Sequence, residues 1–370
     1  MKSVGTEERR RIRLAVLFGG RSPEHEVSVI SARSMRQALD PDRFEVIPLA
    51  IGRDGRWLPA EASLALFAAG DDAPTNSDAV AVRGTGDLTP QSDLGDSVDV
   101  VFPLLHGPYG EDGTVQGLLE LLDLPYVGAG VAASAVGMDK VLMKQIFLQH
   151  GLPVLPFAVV QSFRWAQQRE GTLQWLRDKP GLPCFVKPAN MGSSIGISKV
   201  VTEDELAPAL DLAFSYDQKV LVEQGVVGYR EIECAVLGNE DPQVSVPGEV
   251  VISSAFYDYR TKYTEGAADL VIPANVRPET AQALQSCSAR AFQAIDASGM
   301  ARVDYLVAPD ESAIWLNEIN TIPGFTPFSM YPLLWQGSGL PYPMLVEKLV
   351  NLALERHAAR AKLRRDRAPE

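Results

Sequence analysis

The sequence predicts an α/β protein of two or three domains, opening with an open parallel sheet covered by helices. Three observations lead there. The chain has 370 residues, more than one ordinary hydrophobic core accommodates. Its first part alternates short apolar runs with stretches of helical spacing, the order that builds a parallel sheet. Its composition, 46% hydrophobic and 22% charged, is that of an ordinary globular protein.

The elements follow in order. Ile12–Phe18 is an apolar run closed by Gly19-Gly20 and reads as a first buried strand. Residues 27–39 carry apolar positions at helical spacing, Phe44–Ile51 reads as a second strand and Val98–Leu105 as another. Residues 114–122 read as a helix, and Pro125–Val127 as a short extended piece. The stretch 70–97 is rich in Gly, Asp, Ser, Thr and Pro and reads as a surface excursion. A second unit begins near 131, with a helix over 138–150 stopped by Gly151. Strands Phe157–Val160, Cys184–Lys187 and Val220–Glu223 follow. A third unit holds strands at 231–237, 248–252, 301–307 and 313–320 and a helix at 278–297. The expected division is therefore 1–130, 131–223 and 224–370. From about Arg356 the Arg/Ala/Lys-rich end is expected to fray.

Charge and cysteine usage remove several function classes. A formal net charge of −13 disfavours a nucleic-acid partner. Cys184, Cys234 and Cys287 are odd in number and widely spaced, with neither a CxxC pair nor a zinc spacing, which suits a reducing cytoplasm. The charged start of the chain imitates a signal peptide, but the apolar run after it, Leu14–Phe18, is too short for a targeting core or a membrane span.

The richest segment is ARVDYLVAPDESAIWLNEIN, residues 301–320. Two apolar strands flank a Pro-Asp-Glu-Ser turn, a hairpin signal. Side chains two apart share a strand face. Arg302 and Asp304 therefore point one way on the first strand, and Glu318 and Asn320 one way on the second. An even register gathers all four on one face; a slip of one residue separates them. Two carboxylates and an amide oxygen are hard ligands of the kind Mg²⁺ takes. The competing reading is a solvated polar face. The apolar neighbours of these residues favour a bound cation, because charges on a packed strand need a partner.

A second segment, FVKPANMGSSIG (185–196), places Lys187 at a strand end before a glycine-serine loop. Gly lets backbone N–H groups approach phosphate, and the hydroxyls of Ser193 and Ser194 add donors. The GK[ST] ending of a Walker loop is missing, and alone such a loop is an ordinary turn. In FGGRSPEHEVS (18–28) a glycine turn runs straight into a helix, so donors and the positive helix end collect there. Glu24 in that turn either binds an ammonium group or serves the helix start. His106 opens a glycine-rich loop in LLHGPYGEDGTVQG. Lys140 in VGMDKVLMK would by default be a solvated helix lysine. Tyrosines and a lysine in FYDYRTKYTEG (256–266) have the mixed character of an active-site lid, the alternative being a hairpin with ordinary aromatic packing.

Taken in order, GGRSPEHEVS, LLHGPYGEDGTVQG, MDKVLMK, VKPANMGSSIG, FYDYRTKY, RVDY and NEINTIPGFTPFSMYP resemble the D-alanine–D-alanine ligases of the ATP-grasp superfamily, over about residues 12–355. The resemblance implies three α/β domains, with ATP gripped between the central and C-terminal ones. It implies ATP-driven joining of two D-alanines through an acyl phosphate, for peptidoglycan precursors, by a cytoplasmic homodimer with no nucleic-acid or membrane partner. It assigns Lys140, Lys187, Ser193, Ser194 and the lid's Lys262 to ATP, with Glu223 near the adenine and Glu231 near the ribose. The stretch between those last two, QGVVGYR, is one residue longer than in some relatives. Asp304, Glu318 and Asn320 would hold two Mg²⁺ ions, for which Mn²⁺ could substitute. Arg302 and the Gly324 backbone would stabilise the tetrahedral intermediate. Glu24 would take the first amino acid's ammonium, His106 would lie beside its carboxylate, and Ser329 and Met330 would lie near the second one's carboxylate. Glu24, Ser193 and Tyr263 resemble a hydrogen-bonded triad tying the first domain to the lid.

Two rivals stand beside this reading. One is a depsipeptide ligase using D-lactate, which Tyr263 opposes because relatives changed there accept a hydroxy acid. The other is a non-catalytic nucleotide-binding module, which the intact acidic hairpin and both lysines oppose.

Overall fold

Strand β1 (Ile12–Gly19) is fully buried from Leu14 to Phe18. It pairs in parallel with β2 (Phe44–Ile51) on one side and β3 (Val100–Pro103) on the other. These coordinates are a computed structural model of the chain, which describes residues 10–69, 97–252, 268–326 and 328–364. The surface excursion expected over 70–97 lies almost wholly outside the described residues. Helices α1 (His25–Ala38), α2 (Ala60–Ala68) and α3 (Thr114–Leu121) accompany this sheet. The third strand is shorter than its apolar run at both ends, although the N–H groups of Asp99 and Leu104 still donate to Arg13 O and Leu17 O of β1. Pro125–Val127 is extended as expected, with a parallel bridge from Tyr126 to Val101.

The helix expected over 138–150 is two helices, α4 (Val131–Met138) and α5 (Lys140–Gln149). Asp139 separates them. Its Oδ1 accepts from the N–H groups of Val141 and Leu142 at 3.0 and 3.1 Å, a side-chain cap that starts α5. Met143 and Phe147 of α5 are buried in the core of the third sheet, while Val141 at its start packs against Leu221 of the second, so this helix bridges the two.

The second sheet is antiparallel: β4 (Phe157–Gln161), β5 (Cys184–Pro188), β6 (Ser198–Val200) and β7 (Lys219–Gln224), in the order β4-β7-β5-β6. Helices α6 (Ser162–Gln167), α7 (Arg169–Asp178) and α8 (Leu206–Phe214) supply Trp165, Leu176 and Leu210 to its core. The third sheet comprises β8 (Arg230–Gly238), β9 (Gln243–Val244), β10 (Gly248–Ile252), β11 (Ala268–Val271), β12 (Gly299–Val307) and β13 (Ile314–Asn320). Its order is β11-β10-β8-β12-β13, with β9 on β8. Helix α9 (Pro278–Ala294) packs on it through Leu284, Ala291 and Phe292.

Helices α10 (Met330–Gly337) and α11 (Tyr342–Ala361) join the third unit to the first. One core cluster runs from Leu14, Phe102 and Leu104 through Phe325 and Tyr331 to Leu345 and Leu349. The end of the chain does not fray at Arg356. Helix α11 continues to Ala361, and the Arg356 guanidinium donates to the carbonyls of Gly128 and Tyr126. Composition could not reveal that a distant segment offers those acceptors.

Candidate active site

A cleft of about 470 Å³ opens between the second and third sheets, within the range of small-molecule sites. Lys140, Lys187, Ser193, Ser194 and Glu223 line one wall; Glu231, Glu233, Asp304 and Glu318 line the other.

The acidic wall is built by register. Arg302 lies opposite Asn320 and Asp304 opposite Glu318, the even pairing that gathers all four on one face. A bulge follows Asp304 and ends that regularity. Strand β8 adds two carboxylates, Glu233 opposite Asp304 and Glu231 opposite Leu306. Glu233 was not anticipated, although the alternation in REIEC held the signal. Arg302 is clamped by these acids. Its Nε and Nη2 each donate to Asp304 at 2.7 Å, and Nε lies 2.9 Å from Glu233 Oε2. Burial works against its charge, but Asp304 and Glu233 outweigh burial and hold its pKa well above the ordinary value. Asn320 Nδ2 donates to Asp304 Oδ2 at 3.1 Å.

Among the described residues no three His, Cys, Asp or Glu side chains converge as a self-sufficient metal cluster. The donors here are two carboxylates and an amide, which fits Mg²⁺. That ion commonly takes one or two carboxylates and fills its remaining positions with phosphate oxygens and water.

The basic wall is more tightly organised than its sequence suggested. Lys187 Nζ lies 2.7 Å from Glu223 Oε2, and Lys144 Nζ lies 2.5 Å from Glu223 Oε1. Lys144 was missed, yet it stands one helical turn after Lys140 on the same face of α5. Burial would raise the Glu223 carboxyl, but the two ammonium groups override it and hold it low. Burial lowers the Lys144 ammonium, which Glu223 offsets only in part. Lys140 is no solvated helix lysine: its Nζ donates to Met191 O at 2.7 Å and lies 3.7 Å from Glu318 Oε2. Glu231, across the cleft, accepts from the half-buried Tyr229 phenol, whose pKa is pushed up by burial first and by that carboxylate next.

The glycine-serine loop reaches the first unit. Ser193 and Ser194 both take left-handed backbone angles, φ 50° and 59°, which for non-glycine residues cost on the order of 1 kcal/mol each. The Ser193 hydroxyl donates to Glu24 Oε1. Glu24 occupies the N-cap position of α1 but makes no side-chain cap, which removes the capping explanation for it. His106 is 4% exposed, with Nδ1 3.2 Å from Ile322 O and 3.4 Å from Glu111 Oε1. Burial disfavours its cation, but hydrogen bonding and charge from Glu111, with the charge of Glu24, raise its pKa. Glu111 was not singled out either; a loop, not a periodic element, brings it back to His106.

The turn after β13 carries Gly324, Ser329 and Met330. Phe325 within it is buried against Phe102, Tyr331 and Tyr342. Lys262, Tyr263 and the lid expected over 256–266 lie outside the described residues.

Comparison with known proteins agrees along the chain. The family model D-ala D-ala ligase N-terminus matches residues 13–129, and D-ala D-ala ligase C-terminus matches 146–351. A D-alanine--D-alanine ligase of Geobacillus thermodenitrificans is 48% identical over 355 residues, covering 94% of this chain and 96% of the relative. One from Bacillus cytotoxicus is 45% identical over 359 residues, covering 96% and 99%. Among solved structures, the D-alanine-D-alanine ligase from Coxiella burnetii superposes with a TM-score of 0.81 at 36% identity, covering 95% and 96%. The VanG D-Ala:D-Ser ligase from Enterococcus faecalis superposes with a TM-score of 0.78 at 32% identity, covering 93% and 100%.

Proposed function

The chain belongs to the D-alanine–D-alanine ligase family, and from that premise we propose how its residues divide the ATP-dependent joining of two D-alanines. The product, D-alanyl-D-alanine, serves peptidoglycan synthesis. A carboxylate is a poor acyl donor. One D-alanine carboxylate oxygen therefore attacks the γ-phosphorus of ATP, ADP leaves, and an acyl phosphate results. The amine of the second D-alanine attacks the acyl carbon. The tetrahedral intermediate then expels phosphate while the nitrogen loses its proton.

Glu24 takes the donor's ammonium, and His106, its cation favoured by Glu111 and Glu24, draws the donor's carboxylate. Lys140, Lys187, Ser193 and Ser194 hold the nucleotide's phosphates from one wall, with Lys262 assigned to the same task. Glu223 and Glu231 face the adenine and ribose. Asp304, Glu318 and Asn320 would hold Mg²⁺, which when bound neutralises charge on the transferring phosphoryl group. Arg302 and the Gly324 N–H face the oxyanion of the tetrahedral intermediate. Ser329 and Met330, at the positive end of α10, meet the acceptor's carboxylate. Acyl phosphate hydrolyses in bulk water, so the Ser193–Glu24 contact, completed by Tyr263, would keep the donor side closed.

The observation that carries this reading is the 3.7 Å approach of Lys140 Nζ to Glu318 Oε2. A phosphate-facing cation and a metal-facing carboxylate meet across one cleft. The three sheets support three units with a boundary near 223. Helices α4 and α5, whose core is shared with the third sheet, support a central unit that begins after α5 and not near 131. The three buried free cysteines support a cytoplasmic location. A homodimer follows the family resemblance, and sedimentation tests it.

The experiment is phosphate release from ATP and Mg²⁺ with D-alanine alone or with D-lactate or D-serine added, product masses read alongside. A dipeptide from D-alanine alone is the expected result. Release only with D-lactate would reassign the acceptor. Glu318→Ala should abolish turnover with the fold intact; near-normal activity at saturating Mg²⁺ would overturn the metal assignment.

A further inference from the structure

Ser329 stands at the N-cap of α10, but its hydroxyl accepts no hydrogen bond from that helix. Its Oγ turns back instead. The Thr326 backbone N–H donates to it at 3.0 Å, and Thr326 Oγ1 lies 2.7 Å away. A serine hydroxyl has one proton to give and two lone pairs. We propose that Thr326 is the positioning residue of the acceptor subsite: its N–H and its hydroxyl fill both lone pairs of Ser329 Oγ. Ser329 is thereby left able only to donate, and it donates to the α-carboxylate of the incoming D-alanine. The inference rests on the reading of Ser329 as an acceptor-site residue.

The surroundings make this arrangement rigid. Phe325 is fully buried, and Tyr342 Oη donates to its carbonyl at 2.9 Å, which fixes the chain just before Thr326. Ser329 N donates to Thr326 O at 3.0 Å and closes the turn. Thr326 is 9% exposed. On the other side, a Cβ on Gly324 would lie 2.9 Å from Ser329 Oγ, so the oxygen sits directly over that glycine's backbone. An obligate donor beside a positive helix end selects an anion and has no lone pair for an ammonium group. The device therefore orients the acceptor: carboxylate toward Ser329, amine toward the acyl carbon. It also disfavours an acceptor whose carboxylate has been neutralised, such as D-alaninamide.

The test uses the full-length enzyme with ATP and Mg²⁺. The D-alanine dependence of phosphate release is resolved into donor and acceptor constants for Thr326→Val, Thr326→Ser, Ser329→Ala and the Thr326→Val/Ser329→Ala double variant. Thr326→Val should raise the acceptor KM about tenfold without moving the donor constant, and should narrow the preference for D-alanine over D-alaninamide. Thr326→Ser, which keeps the hydroxyl, should stay within about twofold of the parent. In the Ser329→Ala background the valine should add almost nothing, because the oxygen it orients is gone. If Ser329→Ala raises the acceptor KM while Thr326→Val does not, the role of Thr326 falls and that of Ser329 stands. Equal losses for serine and valine, or additive losses in the double variant, likewise overturn it. An unchanged acceptor KM in Ser329→Ala would remove the reading of Ser329 itself, and Thr326 with it.

Discussion

Lys144 Nζ lies 2.5 Å from Glu223 Oε1, and each side chain is only 1% exposed. Lys187 holds the other carboxylate oxygen at 2.7 Å, and Lys144 also donates to Asn317 O at 2.9 Å. One buried ammonium therefore ties α5 both to strand β7 on one wall of the cleft and to strand β13 on the other. Lys144→Met leaves Glu223 paired with Lys187 but removes its second ammonium and the donor to Asn317 O, so it should cost about 2 kcal/mol in urea unfolding. Lys144→Met combined with Glu223→Gln should cost less than the two single changes added together, the mark of direct coupling. Strict additivity would show that Lys144 acts through packing alone.

Ser193 joins two requirements in one residue, a left-handed backbone and a hydrogen bond to Glu24. Glycine satisfies the first freely and alanine satisfies neither. Ser193→Gly and Ser193→Ala should lose turnover to a similar extent, about tenfold or more, since both lose the Glu24 contact. They should differ in stability, with alanine worse by about 1 kcal/mol despite glycine's freer unfolded state. Turnover that follows the stability order, rather than falling equally, would show that the loop's shape matters and the Glu24 contact does not.

His106 and Glu111 both hold protons more tightly in the folded chain. For His106, burial opposes the charge but is outweighed by Glu111 and Glu24; for Glu111, burial is the main cause, opposed by its bond to His106. A group raised on folding gives stability that is full below its unfolded value and lost as pH rises through its folded one. With ordinary values of 4.5 for Glu111 and 6.5 for His106, stability should decline as pH rises beyond the carboxylate range and on through neutrality. Glu111→Gln removes one titration and the main lift on the other. Unfolding free energies between about pH 5 and about pH 8 should then fall less steeply, and the His106 ring should titrate at lower pH by NMR. An unmoved His106 titration would show that Glu111 does not set its charge.

Much of the site was legible because it is carried by strands. Arg302, Asp304, Glu318 and Asn320 share a face through period-two spacing alone, and only the register had to be supplied. Glu233 and Lys144 were equally periodic, two residues from Glu231 and four from Lys140, but nothing in a lone acid or lysine marks it as buried. Glu111 and Thr326 were not legible at all. Their partners are reached through turns, where contact depends on backbone angles that spacing does not encode. Several helices were not read from the sequence: α2 and α8 are short and apolar on most faces, which periodicity does not separate from strand or loop, but the amphipathic α7 and the long α11 were missed as well.

The end of the chain shows the same limit in a form that can be measured. Its Arg/Ala/Lys composition pointed to fraying, yet Arg356 donates to Gly128 O and, at 2.9 Å, to Tyr126 O, with its guanidinium 4.5 Å from the centre of the Tyr126 ring. Arg360 and His357 extend the contact to Glu120 and Asp123 O. Helix α11 thus holds the third unit against the segment that leads out of the first sheet. Losing two hydrogen bonds from a charged donor should make Arg356→Ala less stable by about 2 kcal/mol in urea unfolding. Arg356→Lys should recover little, because an ammonium cannot span two carbonyls and stack on a ring as a planar guanidinium does. Full recovery by lysine would mean that charge alone, and not the fork geometry, keeps the last helix in place.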